Sequence, residues 1–522
     1  MYRMKRLTCL ALALTLVVGL ALSGCGAGSQ NGAATTGQQD TAAVTAADIT
    51  TAPAAPALEP YELNCYFLAP QCKDVPLVQE EVSKLLKEKI NATIKLNYLW
   101  WDSYQDRQKL FVASGDQIDT MFSPSWWGYA NFAAQKAWLP LDDLLATYGK
   151  DIIANINPAY LKAPVLDGVL YGIPTGKDMF GTGGVLVNKA MADKYGFDFS
   201  TVKTPADFEP MLKTIKEKEP GIVPFLSTKG DHTSYFTQDF LVHIAQTEVP
   251  VGYVKTEGDI KICNLMETEE YKKIAYLSED WYKKGYINKD VATLQDGMPI
   301  KKAQKAFMWA EQLKPGKADE MKAQLGYDLI QVDGYSGIQH FATTGDLTNS
   351  MLVISRNSKN PERAMMFLNL LFIDKQLKNL LDWGIENKHY KKIGENQIDF
   401  ADGVTAETSG YTGLAQWAMG GSQFLDYLWA NESPDKWEKM QEFNNSAIAD
   451  KALGWTYSQE AVKTEVSALA TVGKSHGEPI GEGIVSYDKY YPKMKTAMEK
   501  AGVKAMIDDA QKQLDKYLAD KK

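Results

Sequence analysis

The sequence predicts an α/β protein of at least two folded domains, on three observations. With 522 residues and 45% hydrophobic content, the chain is longer than one hydrophobic core supports. Between Leu63 and Phe122, strand candidates alternate with helix candidates, the pattern of parallel βαβ units. Val169–Asn188 (VLYGIPTGKDMFGTGGVLVN) reads as a short strand, an apolar–Pro turn, a polar-glycine segment and a second strand. It follows one complete α/β unit and precedes another, so it is the expected first crossing between two lobes that close over a ligand. Pro174 and Gly181–Gly184 are its expected hinge or turn residues.

The N-terminus reads as an export signal. MYRMKR is basic, Leu7–Leu22 is an apolar run too short to span a membrane, and Leu22-Ser23-Gly24-Cys25 matches the bacterial lipobox. Residues 1–24 are therefore the expected signal peptide, and the Cys25 thiol the expected acceptor of a diacylglyceryl group. Gly26–Pro60 is built of Ala, Thr, Gly, Gln and Pro with almost no large apolar side chain, the composition of a tether with a reach of roughly 30–35 Å. A body held near a membrane, without a transmembrane helix in the mature chain, is the expectation.

In the body, LNCYFLA (Leu63–Ala69) is the first strand candidate, followed by a helix with Val82, Leu85, Leu86 and Ile90 on one face. Strand candidates Ile94–Trp100 and Asp119–Phe122 flank a helix over Gln105–Ser114. In open α/β sheets ligands bind beyond the carboxyl ends of strands. Trp100–Trp101 and Trp126–Trp127 each fall just past such an end. Leu139–Gly149 and Lys189–Tyr195 read as helices. Thr204–Lys218 is another, with Thr204 as N-cap, Pro205 at the first position and Phe208, Met211, Leu212 and Ile215 aligned. Thr268–Tyr282 places Trp281 on an apolar helical face, which favours a core role. Val223–Ser227, Lys305–Trp309, Leu329–Val332 and Met351–Ile354 are strand candidates. Asn360-Pro361 starts an apolar helix to Phe372, and Val503–Ala519 ends the chain with an amphipathic helix.

Composition narrows the function. The formal net charge is −9, and removing Arg3, Lys5 and Arg6 with the signal takes it to −12. Without a Lys/Arg block, a nucleic-acid partner is not expected. Aromatic residues reach 11%, with 12 Trp and 26 Tyr, enough for an aromatic-lined site as well as large cores. Cys65, Cys72 and Cys263 remain after export. A Cys65–Cys72 bridge and a buried, strand-embedded Cys65 are both open. Neither the cysteines nor the five histidines have metal-ligand spacing, so no metal and no cofactor is expected.

Several segments carry a family resemblance. After the lipobox and tether come SGDQIDTMFSPSWWGYANFAAQKAWLPLDDLLATYG, DGVLYGIPTGKDMFGTGGVLVNKAMADKYGFD, KAFMWAEQLKPG and ISRNSKNPERAMMFLNLLF. In that order they resemble the family-1 extracellular solute-binding proteins of ABC importers, the group of maltose-binding protein. DWGIENKHYKKIGEN, QFLDYLWANESPDKWEKMQEFNNSA and the final helix resemble the C-terminal region of LplA-like carbohydrate-binding lipoproteins. The resemblance runs from about Tyr61 to the end. It implies a two-lobed periplasmic-binding-protein-like fold of type II, with hinge crossings and a C-terminal helical extension. Residues 61–172 and 301–350 would form lobe 1, and 173–300 and 351–522 lobe 2. It implies a monomer that captures a mono- or oligosaccharide and is recognised by a membrane permease.

Sugar recognition needs apolar faces against ring C–H groups and planar polar groups against hydroxyls. Trp126 and Trp127 lie where maltose-binding protein also places ligand contacts, one facing the cleft and the other packing inward. Lys177 and Asp178 sit at the crossing, to bond hydroxyls or to pair with each other. Trp309 and Glu311 follow KAFMW, where the family often places a cleft aromatic. Trp417 and Gln423 lie in a glycine-rich loop, Trp383 is a core or cleft candidate, and His232 and Tyr235 are weaker candidates. Gly181–Gly184 lacks the spacing and Lys-Ser/Thr ending of a phosphate loop. A glycan-degrading enzyme would need two facing carboxylates, which no motif nominates. A sensor or adhesin lipoprotein, or a receptor for peptide, is the remaining alternative.

Overall fold

The computed structural model describes Leu58–Lys521. The signal peptide, Cys25 and the tether up to residue 57 lie outside the described residues. Leu58–Pro60, expected in the tether, are described: Asn91 Nδ2 donates to the Leu58 carbonyl at 2.6 Å and Arg363 Nη2 to that of Glu59 at 3.1 Å.

The first lobe is built on a five-stranded sheet. Strand Tyr61–Leu68 pairs in parallel with Ala92–Leu99 and with Thr120–Phe122, as the βαβ pattern predicts. Met351–Ile354 then adds antiparallel to Thr120–Phe122, and Ile173–Pro174 closes the edge. Helix Val75–Ile90 covers this sheet because Val78, Val82, Leu85, Leu86 and Ile90 recur on one face, each contributing roughly 1.5–3 kcal/mol on burial. It stops at Asn91, whose left-handed backbone (φ 46°) turns the chain straight into the next strand. Helix Pro361–Leu370 also packs here. Asn360 caps it by accepting from the Arg363 N–H, and the buried Arg363 reaches the Asn91 carbonyl.

The second lobe holds a four-stranded mixed sheet in which Thr182–Asn188 runs between Leu329–Asp333 and Ala306–Leu313, with Val223–Leu226 outermost. Against it packs a helical region, including Glu269–Lys283, Tyr487–Lys500 and Val503–Asp520, together with a three-stranded sheet over residues 241–264. Trp281 is fully buried in this lobe.

Sheet membership corrects the expected lobe assignment. Strands Ala306–Leu313 and Leu329–Asp333, expected with residues 61–172, pair with Thr182–Asn188 instead. Strand Met351–Ile354, expected in lobe 2, is an interior strand of the first sheet, and the core there includes Leu377, Leu381 and Leu414. Apolar strands buried on both faces carry no alternation that would identify their partners.

Three segments connect the lobes: 175–181, 334–350 and 444–450. The last two pair with each other, Phe341–Ala342 lying parallel to Ile448–Ala449. At the same place Phe180 stacks on Phe443 (4.0 Å) and on His340 (5.1 Å), rings from the first crossing, the residue just before the third, and the second crossing.

Gly183 and Gly184 lie inside a strand and not in a turn. A Cβ on Gly183 would stand 2.0 Å from the Tyr235 carbonyl oxygen, and one on Gly184 2.5 Å from that of Val332. Close backbone approach is what these positions require. None of the described helices is long and apolar enough to cross a membrane.

Candidate functional site

The carboxyl ends of the first sheet carry a wall of indoles. Leu99 ends one strand and Trp100–Trp101 follow; Phe122 ends the next, and Ser125–Trp127 forms a single 3-10 turn closed by Gly128 at φ 89°. The Trp126 and Trp127 rings are 4.4 Å apart and divide their work. Trp127 stacks at 5.5 Å on the fully buried Tyr104, whose hydroxyl donates to the Phe122 carbonyl, and so packs inward. Trp126 stays 44% exposed and faces outward. Its indole N–H donates to the Asn349 carbonyl at 3.0 Å, which fixes the ring's tilt. Trp101, 45% exposed, stacks on Trp126 at 5.7 Å and stands 6.1 Å from Trp417, which the tail brings in from more than 280 residues away.

A four-residue strip at the end of the second crossing holds this wall. The Thr348 carbonyl accepts from Ser125 N–H, the Asn349 carbonyl from Trp126, and the Met351 carbonyl from Ser123 N–H. Ser350 is buried; its hydroxyl donates to the Trp417 carbonyl and lies 2.9 Å from the Thr175 hydroxyl. The strip thus joins Trp126 and Trp417 to the first crossing.

The tail loop is stitched to that crossing as well. Gly176 N–H donates to the Gly421 carbonyl and Gln423 N–H to the Gly176 carbonyl, both at 2.8 Å. Gly420 and Gly421 have φ of 77° and 71°, and a Cβ on Gly421 would lie 2.3 Å from the Leu371 carbonyl oxygen. Only glycine fits both the backbone and the space. Gln423 is therefore placed beside the crossing, with its backbone engaged.

Lys177 and Asp178 are buried and paired at 2.9 Å. Asp178 also meets Lys314 at 3.4 Å, just past strand Ala306–Leu313, and the chain of charges continues from Lys314 to Glu320 (3.4 Å), Lys436 (3.1 Å) and Glu432 (2.6 Å). Burial would raise the Asp178 carboxyl, but Lys177 and Lys314 outweigh it and hold it well below the usual carboxylate range. Glu320 is likewise pushed up by burial and pulled down further by Lys314, Lys436 and Lys317, to about 2. The Lys177 carbonyl accepts from Tyr160 Oη and from Asn444 Nδ2, the latter at 2.9 Å. Both side chains at the crossing are thus committed to an ion chain joining the crossing, the second sheet and the tail.

Other sequence candidates lie elsewhere. Trp309 is 1% exposed, in the core of the second lobe with Lys301 Nζ 5.0 Å over its ring. An apolar strand position reads the same whether it lines a core or a cleft, and here the core took it. Glu311, one position removed on the same strand face, pairs with Lys317 at 3.5 Å. Trp383 meets Trp429 edge-on at 5.5 Å in a small tail cluster with Tyr390, Ile398 and Tyr427. His232 is buried between the Ser227 (2.7 Å) and Ser278 (2.8 Å) hydroxyls, and burial takes its pKa down to about 4. The Tyr235 carbonyl packs over Gly183. Cys65, Cys72 and Cys263 are free thiols; Cys65 is buried in its strand and Cys72 points at the Thr412 carbonyl. Among the described residues no group of three or more His, Cys, Asp or Glu is placed to hold a metal ion.

Trp101 was the residue missing from the sequence candidates, although its place past a strand end was visible. The strip at Thr348–Met351 carries no sequence signal, because it acts mostly through backbone carbonyls.

The family model described as bacterial extracellular solute-binding protein matches residues 74–377, and a domain of unknown function matches residues 451–519. A protein of Streptococcus pneumoniae named carbohydrate ABC transporter substrate-binding protein is 29% identical over 451 residues, 84% of this chain and 87% of its own length. The solved N-glycan transport solute-binding protein NgtS of the same organism superimposes with a TM-score of 0.79 at 27% identity, over 89% of this chain and 100% of that one. NgtS in complex with Man5GlcNAc gives a TM-score of 0.71 at 27% identity, over 89% and 100% of the two chains. With two α/β lobes, three crossings and a family match over more than half its length, this chain belongs to the bacterial extracellular solute-binding proteins.

Proposed function

We propose that the protein is the lipid-anchored receptor of an ABC importer, capturing an oligosaccharide between its lobes and presenting it to a membrane permease. The observation that carries this reading is the wall of Trp101, Trp126 and Trp417 at the carboxyl ends of the first sheet, beside the crossings. Indole faces of this kind suit the C–H faces of pyranose rings, and the main-chain and hydroxyl groups around them suit sugar hydroxyls. Relatives named for carbohydrate and N-glycan transport support the same ligand class.

Trp126 and Trp417 are the proposed stacking residues, with Gln423 at the edge beside Gly176. Lys177 and Asp178 act through the crossing. Their ion chain lies at the carboxyl edge of the second sheet, the side on which closure would bring the lobes together, so binding energy is coupled to a hinge motion. The reading includes a monomer that binds without turning its ligand over, anchored through Cys25 on the extracytoplasmic face of the membrane.

Calorimetry on the mature protein with Man5GlcNAc, shorter mannosides and a panel of other oligosaccharides tests the ligand class. Saturable binding of a carbohydrate, recovered intact afterwards, is the expected result. Products shorter than the added glycan would overturn the receptor reading. Cys25→Ala is expected to release the protein from membranes, and its retention there would count against the lipid anchor.

A further inference from the structure

We propose that Lys378 and Asp426 become joined by a side-chain amide once the chain has folded, with Asp382 as the base, so that the tail loop is tied covalently to helix Lys375–Trp383. The proposal stands apart from the carbohydrate reading and does not depend on it.

The three side chains come from two elements. Lys378 and Asp382 stand one turn apart on helix Lys375–Trp383, and Asp426 lies three residues beyond Gln423 in the tail loop. Each is 3% exposed or less, and Leu377 and Leu381 of the same helix are fully buried beside them. Lys378 Nζ bonds Asp382 Oδ2 and stands 3.2 Å from Asp426 Oδ1, one bond from the carboxyl carbon. Asn379 holds the loop in place on both sides of Asp426. Its Nδ2 donates to the Leu425 carbonyl at 2.9 Å, and its Oδ1 accepts from the Tyr427 N–H at 2.7 Å. The Asp426 carbonyl accepts from the Trp437 indole N–H at 3.0 Å. Amine and carboxyl are thus held in contact by the fold, which removes the entropic cost of bringing them together.

Charge assigns the roles. Two carboxyls face one ammonium, and an unbalanced charge away from water is costly, so one carboxyl keeps its proton. Burial, with Asp382 beside it, pushes the Asp426 carboxyl well above the usual range despite Lys378. Asp426 is therefore the neutral acid and the electrophile. Burial alone would favour an uncharged Lys378, but the two carboxyls outweigh it and keep the ammonium. Its proton has to pass to a base in contact, and Asp382, itself raised by burial, is that base.

Lys378 Nζ gives one proton to the Asp382 carboxylate, and the freed electron pair forms a bond to Asp426 Cγ. Nζ gives up a second proton as the Asp426 hydroxyl leaves, and the two depart as one water. The products are a secondary amide, an uncharged Asp382 acid and water. A cation and an anion are both removed from a site closed to solvent, which favours condensation there.

Peptide mapping of the full-length protein by mass spectrometry tests the bond. Trypsin should leave Lys378 uncut and release residues 376–388 joined to residues 393–436, lighter than their sum by one water. Asp382→Asn keeps both ends and removes the base, so the two peptides should come apart. Cleavage after Lys378, with residues 393–436 at their sequence mass, overturns the proposal and leaves an ordinary ion triad. A water lost within residues 376–388 alone also overturns it, because the amide then lies on Asp382. A cross-link at wild-type yield in Asp382→Asn overturns the role of the base. Should that variant not fold, the wild-type map decides the bond by itself.

Discussion

The two sheets end in opposite chemistry. Past the carboxyl ends of the first sheet stand Trp101, Trp126 and, from the tail, Trp417, apolar and partly open to solvent. Past the corresponding end of the second stands Lys314, locked between Asp178 and Glu320 with its charges largely out of water. The same topological position therefore serves two purposes. An exposed indole costs the free protein little and gains contacts when a ligand arrives. A buried ion pair adds little net stability, yet it fixes which segments sit together, because each charge is expensive without its partner. One sheet presents a surface; the other ties a joint.

Breaking the joint should have the largest effect. Lys314→Met leaves Asp178 and Glu320 without their shared cation and is expected to cost about 3 kcal/mol in urea unfolding. A loss below about 1 kcal/mol would mean the chain is solvated and has no organising role. Removing the surface comes next. Trp126→Ala should cost about 2 kcal/mol of oligosaccharide binding, read by calorimetry as about 30-fold in Kd, while the melting temperature holds. A fallen melting temperature with retained affinity would reverse the two roles. The stitch between wall and joint should show both effects at once: Gly421→Ala forces a Cβ onto the Leu371 carbonyl at positive φ and is expected to cost about 1–2 kcal/mol of stability. It should also weaken binding, because Trp417 hangs on the same loop.

The smallest effects are those of pH, and here two carboxylates pull in opposite directions. Glu320 has a folded pKa of about 2 against 4.5 unfolded, so its stabilisation is complete above pH 4.5 and is lost as pH falls towards 2. Asp239, which accepts from Gly183 N–H at 2.9 Å, is raised by burial to about 7 against 3.8. Its charged form opposes folding above pH 7, and that penalty is relieved as pH falls from 7 towards 4. Thermal melting across pH 3–8 should show Asp239→Asn flattening the rise below neutrality and Glu320→Gln flattening the acid loss. Identical profiles for both variants and the wild type would remove these groups from the pH response.

What the sequence disclosed depended on whether the cause was local. The cap at Asn360 and the apolar faces of helices Val75–Ile90 and Val503–Asp520 are written in a few consecutive residues, and the structure has them where the pattern puts them. The crossing at residues 175–181 was visible as a break between two patterned regions. Sheet partners were not, since strand Ala306–Leu313 is buried along nearly its whole length and offers no face to read. The same ambiguity carried Trp309 into the candidate site. The place of Trp126 past a strand end, by contrast, was legible because a strand end is a local event. The tie from Ser350 to Trp417 spans 67 positions and leaves no local trace.

The paired strands Phe341–Ala342 and Ile448–Ala449 have a mechanical consequence. Two chains laid side by side and cross-linked by hydrogen bonds behave as a leaf spring, compliant across the thin dimension and stiff to shear and twist. A joint of this kind leaves the lobes one soft direction, an opening and shutting swing, and denies them the screw-like slide that separate strands would permit.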